Sequence, residues 1–260
     1  MPTVLLLSKI YGDYQLKVVE EFLKNKLKGL KISIVKVEAS PHGWVQANIS
    51  GEDEKAALNL LQADIGLCPT NIENIERFAN VKGYAKSIGE SKSEINVDIG
   101  ITIPEPIPAT IPLKYLQAQL ADGRKMALQK IAELYGICEN MPLTVKITSI
   151  NKNQIEATLA EKQLRLYKKW IKTLLDRLII LGASTREVWK ALKLAQCKKY
   201  TVEIEPLGLF EHAIACKLGT DGAGLIPKIG KNLPDRKLNV FSPRKLLEIF
   251  KDNPFFSHEF

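Results

Sequence analysis

Most of the positive charge of this sequence lies in one stretch, where its spacing is suited to binding phosphates. Residues 161–200 contain eleven Lys or Arg against three Asp or Glu, and this excess equals the net charge of +8 of the whole 260-residue chain. Basic residues at three- and four-residue steps share one face of a helix. We predict that they bind the phosphates of RNA. The candidates are Arg165, Lys168, Lys169, Lys172, Arg186, Lys190 and Lys193. The alternative is a helix surface that is merely solvated.

The apolar residues of the same stretch predict the helices that present these side chains. Apolar residues recur at three- and four-residue steps from Leu164 to Leu178, which predicts a helix that ends at Gly182. Ser184 followed by Glu187 has the spacing of a capping box for a second helix. We therefore interpret residues 162–200 as a basic helical hairpin whose charged side chains have no acidic partners.

Residues 77–161 have the alternating pattern of short, half-buried strands. Five strands are predicted from it: residues 80–89, 93–101, 109–112, 143–150 and 154–159. Five short strands in this order predict a small closed barrel. A helical insertion over residues 102–140 separates the third strand from the fourth.

Details at the ends of these strands indicate a family. The first strand ends at Gly89, and the second ends in Val97-Asp98-Ile99-Gly100. The third strand runs into a helix at Ile111-Pro112-Leu113, and the last hairpin ends at Glu161-Lys162. These features resemble the RNA-binding barrel of the ribosomal S-one type, an oligonucleotide-binding fold, and the resemblance implies RNA binding. That family usually has aromatic residues on strands two and three, where this sequence has Ile95 and Val97.

The outward side of strand one carries further candidates for RNA contact, namely Lys82, Tyr84 and Lys86. The alternating pattern predicts that they lie opposite Glu94, Asn96 and Asp98 of strand two. We expect cross-strand pairing to neutralise part of their positive charge. The helical hairpin would then contribute more to RNA binding than this strand does.

Two further domains are predicted at the ends of the chain. Residues 1–76 have strands and helices in the order of a ferredoxin-like α/β sandwich. Residues 201–260 are predicted to be β-rich and to repeat the barrel in part. Strands at residues 202–205 and 211–218 should pair antiparallel, with residues 225–227 beside one of them.

The predicted repeat rests on the positions of its glycines. Gly208 and Gly219 are eleven residues apart, as Gly89 and Gly100 are, and an Ile-Pro pair follows in both cases. Phe210 and His212 share a strand face in this block, either as residues of the core or as candidates for stacking on RNA bases.

Composition limits the class of protein. The chain is 45% hydrophobic and 25% charged, which is typical of soluble globular proteins. Because it has no run of 18 apolar residues and no basic segment before its first apolar run, we expect a cytoplasmic protein without a membrane span. The four cysteines are too dispersed for a zinc site or a disulfide framework, and no catalytic motif is recognised. We expect neither a metal nor another cofactor.

The sequence therefore predicts an α+β, non-enzymatic RNA-binding protein of translation or RNA processing. Its expected partners are RNA and, as further candidates, ribosomal or RNA-processing proteins. One alternative is an adaptor that binds proteins of that machinery, and another is a hydrolase or nuclease that uses carboxylates not recognised in the sequence. The sandwich, the barrel and the glycine-rich residues 219–224 together also resemble an archaeal family of conserved proteins, a domain of unknown function.

Overall fold

The computed structural model describes residues 3–151 and 154–250 of a mixed α+β chain. The chain forms two compact units. The first contains Met1–Ile75 and Gly100–Pro106, and the second contains Glu76–Ile99 and Ile107–Phe260. Among the helices of the described ranges, none combines the length and the apolar composition needed to span a membrane.

The elements that precede residue 160 are β1 (Thr3–Lys9), α1 (Tyr14–Lys26), β2 (Ile32–Ala39), β3 (Trp44–Gly51), α2 (Glu54–Asp64), β4 (Thr70–Asn71), β5 (Asn80–Lys86), β6 (Glu94–Asp98), β7 (Ile101–Ile103), β8 (Ala109–Pro112), α3 (Leu113–Leu120), α4 (Leu128–Leu134), β9 (Pro142–Asn151) and β10 (Gln154–Leu159). Those that follow are α5 (Glu161–Lys172), β11 (Arg177–Leu181), α6 (Thr185–Leu194), β12 (Thr201–Pro206), β13 (Glu211–Cys216), α7 (Gly222–Gly230), β14 (Lys237–Phe241) and α8 (Pro243–Ile249).

The first unit contains a three-stranded antiparallel sheet in the order β1-β3-β2. On the free side of β1, Leu67 forms an antiparallel bridge to Leu6. This strand order is compatible with the ferredoxin-like sandwich that the sequence predicts. The short strands β4 and β7 pair in parallel in the same unit.

The predicted barrel of five strands is present in the second unit and is closed in the order β5-β6-β8-β10-β9. Its neighbouring strands are antiparallel except for the parallel pair β8 and β10. The side chains of Ala85, Val97, Ile111, Val145 and Ala157 are fully buried, one from each strand. The barrel interior is therefore filled by alternating apolar residues, as expected from the sequence. Helices α3 and α4 form in the predicted insertion.

The predicted helical hairpin of residues 162–200 is wrong in one respect. Helix α5 ends at Lys172, Leu174 has a positive φ of 54°, and Arg177–Leu181 is a buried strand. This strand lies in the middle of a sheet, between β13 and β14. A continuous apolar run such as Leu178-Ile-Ile-Leu fits a buried strand as well as a helix, and apolar periodicity alone does not separate them. The capping box of Ser184 and Glu187 at the start of α6 is confirmed.

The C-terminal block is an open four-stranded sheet, in the order β12-β13-β11-β14, instead of a second partial barrel. Strands β12 and β13 pair antiparallel as predicted. However, residues 225–227 lie in α7, because the Asp221 side chain accepts hydrogen bonds from the backbone N–H groups of Ala223 and Gly224 and so begins a helix. The spacing of the glycines was therefore no sign of a repeat.

The barrel makes a specific prediction at Gly83. A Cβ atom at this position would lie 2.5 Å from the carbonyl oxygen of Asp98 and 2.8 Å from Cγ1 of Val97. Because one obstacle is backbone, we expect Gly83→Ala to lower the free energy of unfolding by about 1–3 kcal/mol. Urea denaturation would measure this. The control is Gly230→Ala, where an added Cβ meets no atom within 4 Å; equal unfolding midpoints for the two variants would contradict the prediction.

Candidate nucleic-acid interface

A groove on the second unit collects basic side chains from elements that are distant in sequence. It has a volume of ≈ 410 Å³ and lies between β5, β9, helix α5 and the end of β12. Four of its described lining residues are positively charged, namely Lys82, Lys162, Arg165 and Lys169, and one, Glu205, is negatively charged. We call it the basic groove. Its excess of three positive charges is suited to an anion with several negative groups.

Helix α5 presents three of these cations in one row. Lys162, Arg165 and Lys169 are spaced three and four residues apart, so they follow one face of the helix. The buried residues of the helix are Gln163, which also borders the groove, and Tyr167, Trp170 and Ile171. This division into an apolar and a basic face fixes which side of α5 points to the groove.

Side-chain hydrogen bonds attach α5 to both walls of the groove. The Gln163 Oε1 accepts a hydrogen bond of 3.1 Å from the backbone N–H of Thr144 on β9. The Trp170 Nε1 donates to a carboxylate oxygen of Glu205 on β12 at 2.9 Å. The row of cations is thus held on a helix that is anchored to two strands, which favours a pre-formed site.

Lys82 reaches the groove from a barrel strand, β5, and it is partly buried. Its Nζ donates a hydrogen bond of 2.6 Å to the carbonyl oxygen of Leu207. Burial lowers the pKa of Lys82, while the charge of Glu211 raises it and that of Lys162 lowers it. Glu211 is itself fully buried, and its carboxylate accepts a hydrogen bond of 3.3 Å from the Tyr84 hydroxyl.

The expectation that the basic residues of α5 lack acidic partners is wrong. Arg165 forms an ion pair with Glu161 one turn earlier, and this guanidinium lowers the pKa of Glu161. Lys169 forms an ion pair of 3.2 Å with Glu205, which is 36 residues away in the chain. Pairs between solvent-exposed side chains stabilise a protein by roughly 0–1 kcal/mol. The exposed Arg165–Glu161 pair therefore does not prevent a phosphate from replacing the carboxylate. The Glu205 side chain is only 22% exposed and also accepts from Trp170, so it stays beside Lys169.

The predicted charge pairing on strand one also differs from the structure. In the register of β5 and β6, Lys86 lies opposite Asn96 and Tyr84 lies opposite Asp98. Neither Lys82 nor Lys86 therefore has an acid as its direct partner across this pair of strands. Lys86 is exposed at the end of β5, away from the groove lining.

Three predicted contact residues lie in the interior of the second unit. Tyr84, Phe210 and His212 are each at most 1% exposed, so they offer no face on which a base could stack. The Nε2 of His212 is 2.8 Å from the hydroxyl oxygen of Thr185, and burial lowers the pKa of His212 to about 4. We therefore exclude these three side chains from the interface.

The remaining predicted residues are exposed but lie outside the groove. Lys168 and Lys172 are on α5, and Arg186, Lys190 and Lys193 are on α6. Of the twelve predicted residues, the structure thus brings Lys82, Arg165 and Lys169 together in the groove lining.

Two basic residues and one aromatic residue near the groove were not among the predicted contacts. Lys162 is one of the eleven basic residues of positions 161–200, and it lines the groove. Lys146 is exposed on β9, two residues after Thr144 of the groove lining. Phe78 is exposed just before β5. In a strand over residues 143–150, alternation places Thr144 and Lys146 on the same side, and this signal could have identified Lys146.

The burial of His212 predicts a pH-dependent stability. Its pKa falls from 6.5 to about 4 on folding, so the stability it contributes is complete above pH 6.5 and decreases as the pH falls through that window. Relative to His212→Gln, we expect the parent to lose about 3 kcal/mol of unfolding free energy between about pH 7 and about pH 4. Urea denaturation of both proteins at both pH values measures this difference. The contribution of the carboxylates to the pH dependence cancels, because the two proteins share them. A difference that does not change with pH would contradict the prediction.

Comparison with known proteins identifies family domains along the chain. Family models match residues 3–69 (DUF2110 N-terminal domain), 76–171 (DUF2110 central domain) and 175–241 (DUF2110 C-terminal domain). No curated protein matches the chain. A crystal structure of a protein from Thermus thermophilus is 12% identical over 96% of this chain and 43% of that one, with a TM-score of 0.16. This chain thus spans less than half the length of that protein.

Proposed function

The chain belongs to the DUF2110 family, and we propose that it is a non-enzymatic RNA-binding protein that holds single-stranded RNA in the basic groove. The observation that carries the proposal is the meeting of four cations from β5 and α5 in one groove whose described lining has a single carboxylate. Binding of phosphates by such cations releases condensed counterions, which drives association with RNA of any sequence.

The strand order of the barrel supports an oligonucleotide-binding fold of the kind that the S-one-type resemblance implies. Numbered within the barrel, the strands follow one another as 1-2-3-5-4, and strands three and five are parallel. Folds of this type usually bind nucleic acid on strands two and three. Here those strands are β6 and β8.

The outward face of β6 is poorly suited to phosphate, which favours the groove as the binding surface. Glu94, Asn96 and Asp98 alternate with the buried Ile95 and Val97. Two carboxylates on that face repel a polyanion. The cations lie instead on the side of strands one and four, where β5 and β9 meet α5.

The family domains are consistent with a surface built from more than the barrel. The central-domain match covers both the barrel and α5, and the C-terminal match covers the end of β12. We propose that the groove at their junction is the RNA-binding site and that the protein acts in translation or RNA processing. Ribosomal or RNA-processing proteins are the proposed protein partners.

A second candidate function is that of a protein-binding adaptor, and exposed apolar side chains on α6 favour it. Trp189 is 44% exposed and Leu194 is 60% exposed, next to the basic residues of the same helix. Exposed tryptophan is enriched at protein interfaces. In an adaptor, binding of the protein partner would depend on α6 and not on the basic groove.

Substitution of the groove cations tests the proposed function. The variant Lys162→Gln, Arg165→Gln, Lys169→Gln removes three exposed charges of the groove, and removal of one phosphate contact with a single strand changes the salt slope by about 0.7. We therefore expect weaker RNA binding and a slope of log affinity against log salt that is flatter by about two units. Fluorescence anisotropy with a labelled oligouridylate of about a dozen nucleotides, titrated at several salt concentrations, measures both.

The matched control is Arg186→Gln, Lys190→Gln, Lys193→Gln, which removes the same charge from α6, outside the groove. We expect this variant to bind RNA nearly as the parent does. Equally weakened binding in the two variants would show that net charge and not the groove determines binding. A parent that does not bind the oligonucleotide at low salt would contradict the proposal.

A further inference from the structure

Phe78 is an exposed aromatic residue in an unusual backbone conformation. Its side chain is 57% exposed, and its φ is +70°, a region that is unfavourable for a bulky residue. Its backbone N–H donates to the carbonyl oxygen of Ile147 at 2.8 Å, which ties it to β9. The core does not require this side chain. A strained residue on the surface is a reason to look for a function.

Two cations lie over the Phe78 ring. The Arg77 guanidinium carbon lies 4.6 Å from the ring centroid, and the Lys146 Nζ lies 5.6 Å from it. Arg77 is fixed by a hydrogen bond of 2.8 Å from its Nε to the carbonyl oxygen of Thr148. Because both cations lie over the ring, a base that stacks on it must displace one of them, and the displaced cation can then bind a neighbouring phosphate.

The same pair of strands connects Phe78 with the basic groove. In the register of β5 and β9, Asn80 lies opposite Lys146 and Lys82 lies opposite Thr144. Thr144 and Lys82 line the groove. Lys82 is two residues, about 7 Å, along β5 from Asn80, and Phe78 precedes Asn80 by two residues just outside the strand. A single strand of a few nucleotides can therefore contact both places at once.

We propose that Phe78 is a base-stacking site that extends the basic groove, with Arg77 and Lys146 binding the phosphates on either side of the stacked base. This inference rests on the proposed RNA-binding function. It also supplies an aromatic contact, which β6 and β8 lack: Ile95 and Val97 of β6 are buried, and β8 contains no aromatic residue. The site takes a base of any identity, because stacking on an aromatic ring requires only a π-face.

The test uses the full chain and an oligouridylate that carries one 2-aminopurine, whose fluorescence is quenched by stacking. We expect Phe78→Ala to weaken binding about tenfold and to abolish the quenching. The salt slope should stay that of the parent, because no charge is removed. Phe78→Trp should retain both affinity and quenching, whereas Phe78→Leu, which keeps an apolar side chain without a π-face, should behave as Phe78→Ala does.

The control is Leu194→Ala, which removes an equally exposed apolar side chain from α6. If the parent binds RNA through the groove cations while Phe78→Ala binds as tightly as the parent, the stacking site is wrong and the proposed function stands. If the groove variant described above has no effect either, the proposed function itself fails. If Phe78→Leu binds as the parent does, Phe78 is an apolar contact, as for a protein ligand, and the stacking site is again contradicted.

Discussion

The packing of one aromatic cluster holds the second unit together and orients helix α5. The ring centroid of Tyr167, on α5, lies 5.0 Å from that of Tyr135, which follows α4, and 6.1 Å from that of Phe241, on β14. Trp170 belongs to the same cluster, because its ring centroid lies 5.3 Å from that of Phe241. Aromatic pairs at these distances stabilise by about 0.5–1.5 kcal/mol beyond their buried area. The cluster connects the barrel insertion, α5 and the C-terminal sheet, and it leaves the other side of α5 to its cations.

Buried and exposed cations of the second unit have different surroundings. Arg177 is 1% exposed and donates to the Thr173 hydroxyl at 3.1 Å; burial lowers its pKa, and the nearby charge of Glu205 raises it. The same Glu205 binds Trp170 and Lys169. One carboxylate thus lies near the buried cation Arg177, where an unpaired charge is costly, and also pairs with the groove cation Lys169. Lys162 and Arg165 lie in the exposed part of the groove, where their charge can serve a ligand.

The sequence predicts what depends on local periodicity and fails where distant elements meet. The barrel strands were found because half-buried strands alternate, and the α6 capping box was found because its residues are close together in the chain. Alternation assigned Tyr84 to the outward face of β5, but that face is covered at Tyr84 by Glu211 of the C-terminal sheet. Likewise, no spacing within α5 reveals that Glu205 pairs with Lys169. The groove depends on such long-range contacts and was therefore only partly predicted.

The ion pairs of the groove favour a ligand with several phosphates over a single anion. A phosphate that binds Arg165 competes with Glu161, and one that binds Lys169 competes with Glu205. The Arg165–Glu161 pair is exposed and worth little, and Glu205 is held in place by Trp170, so a lone phosphate gains little at either cation. A nucleic acid strand makes several exchanges in one binding event and releases counterions at each. If the groove binds RNA as proposed, affinity comes from the number of simultaneous contacts, and cations gathered from β5 and α5 would then favour a longer polyanion over a shorter one.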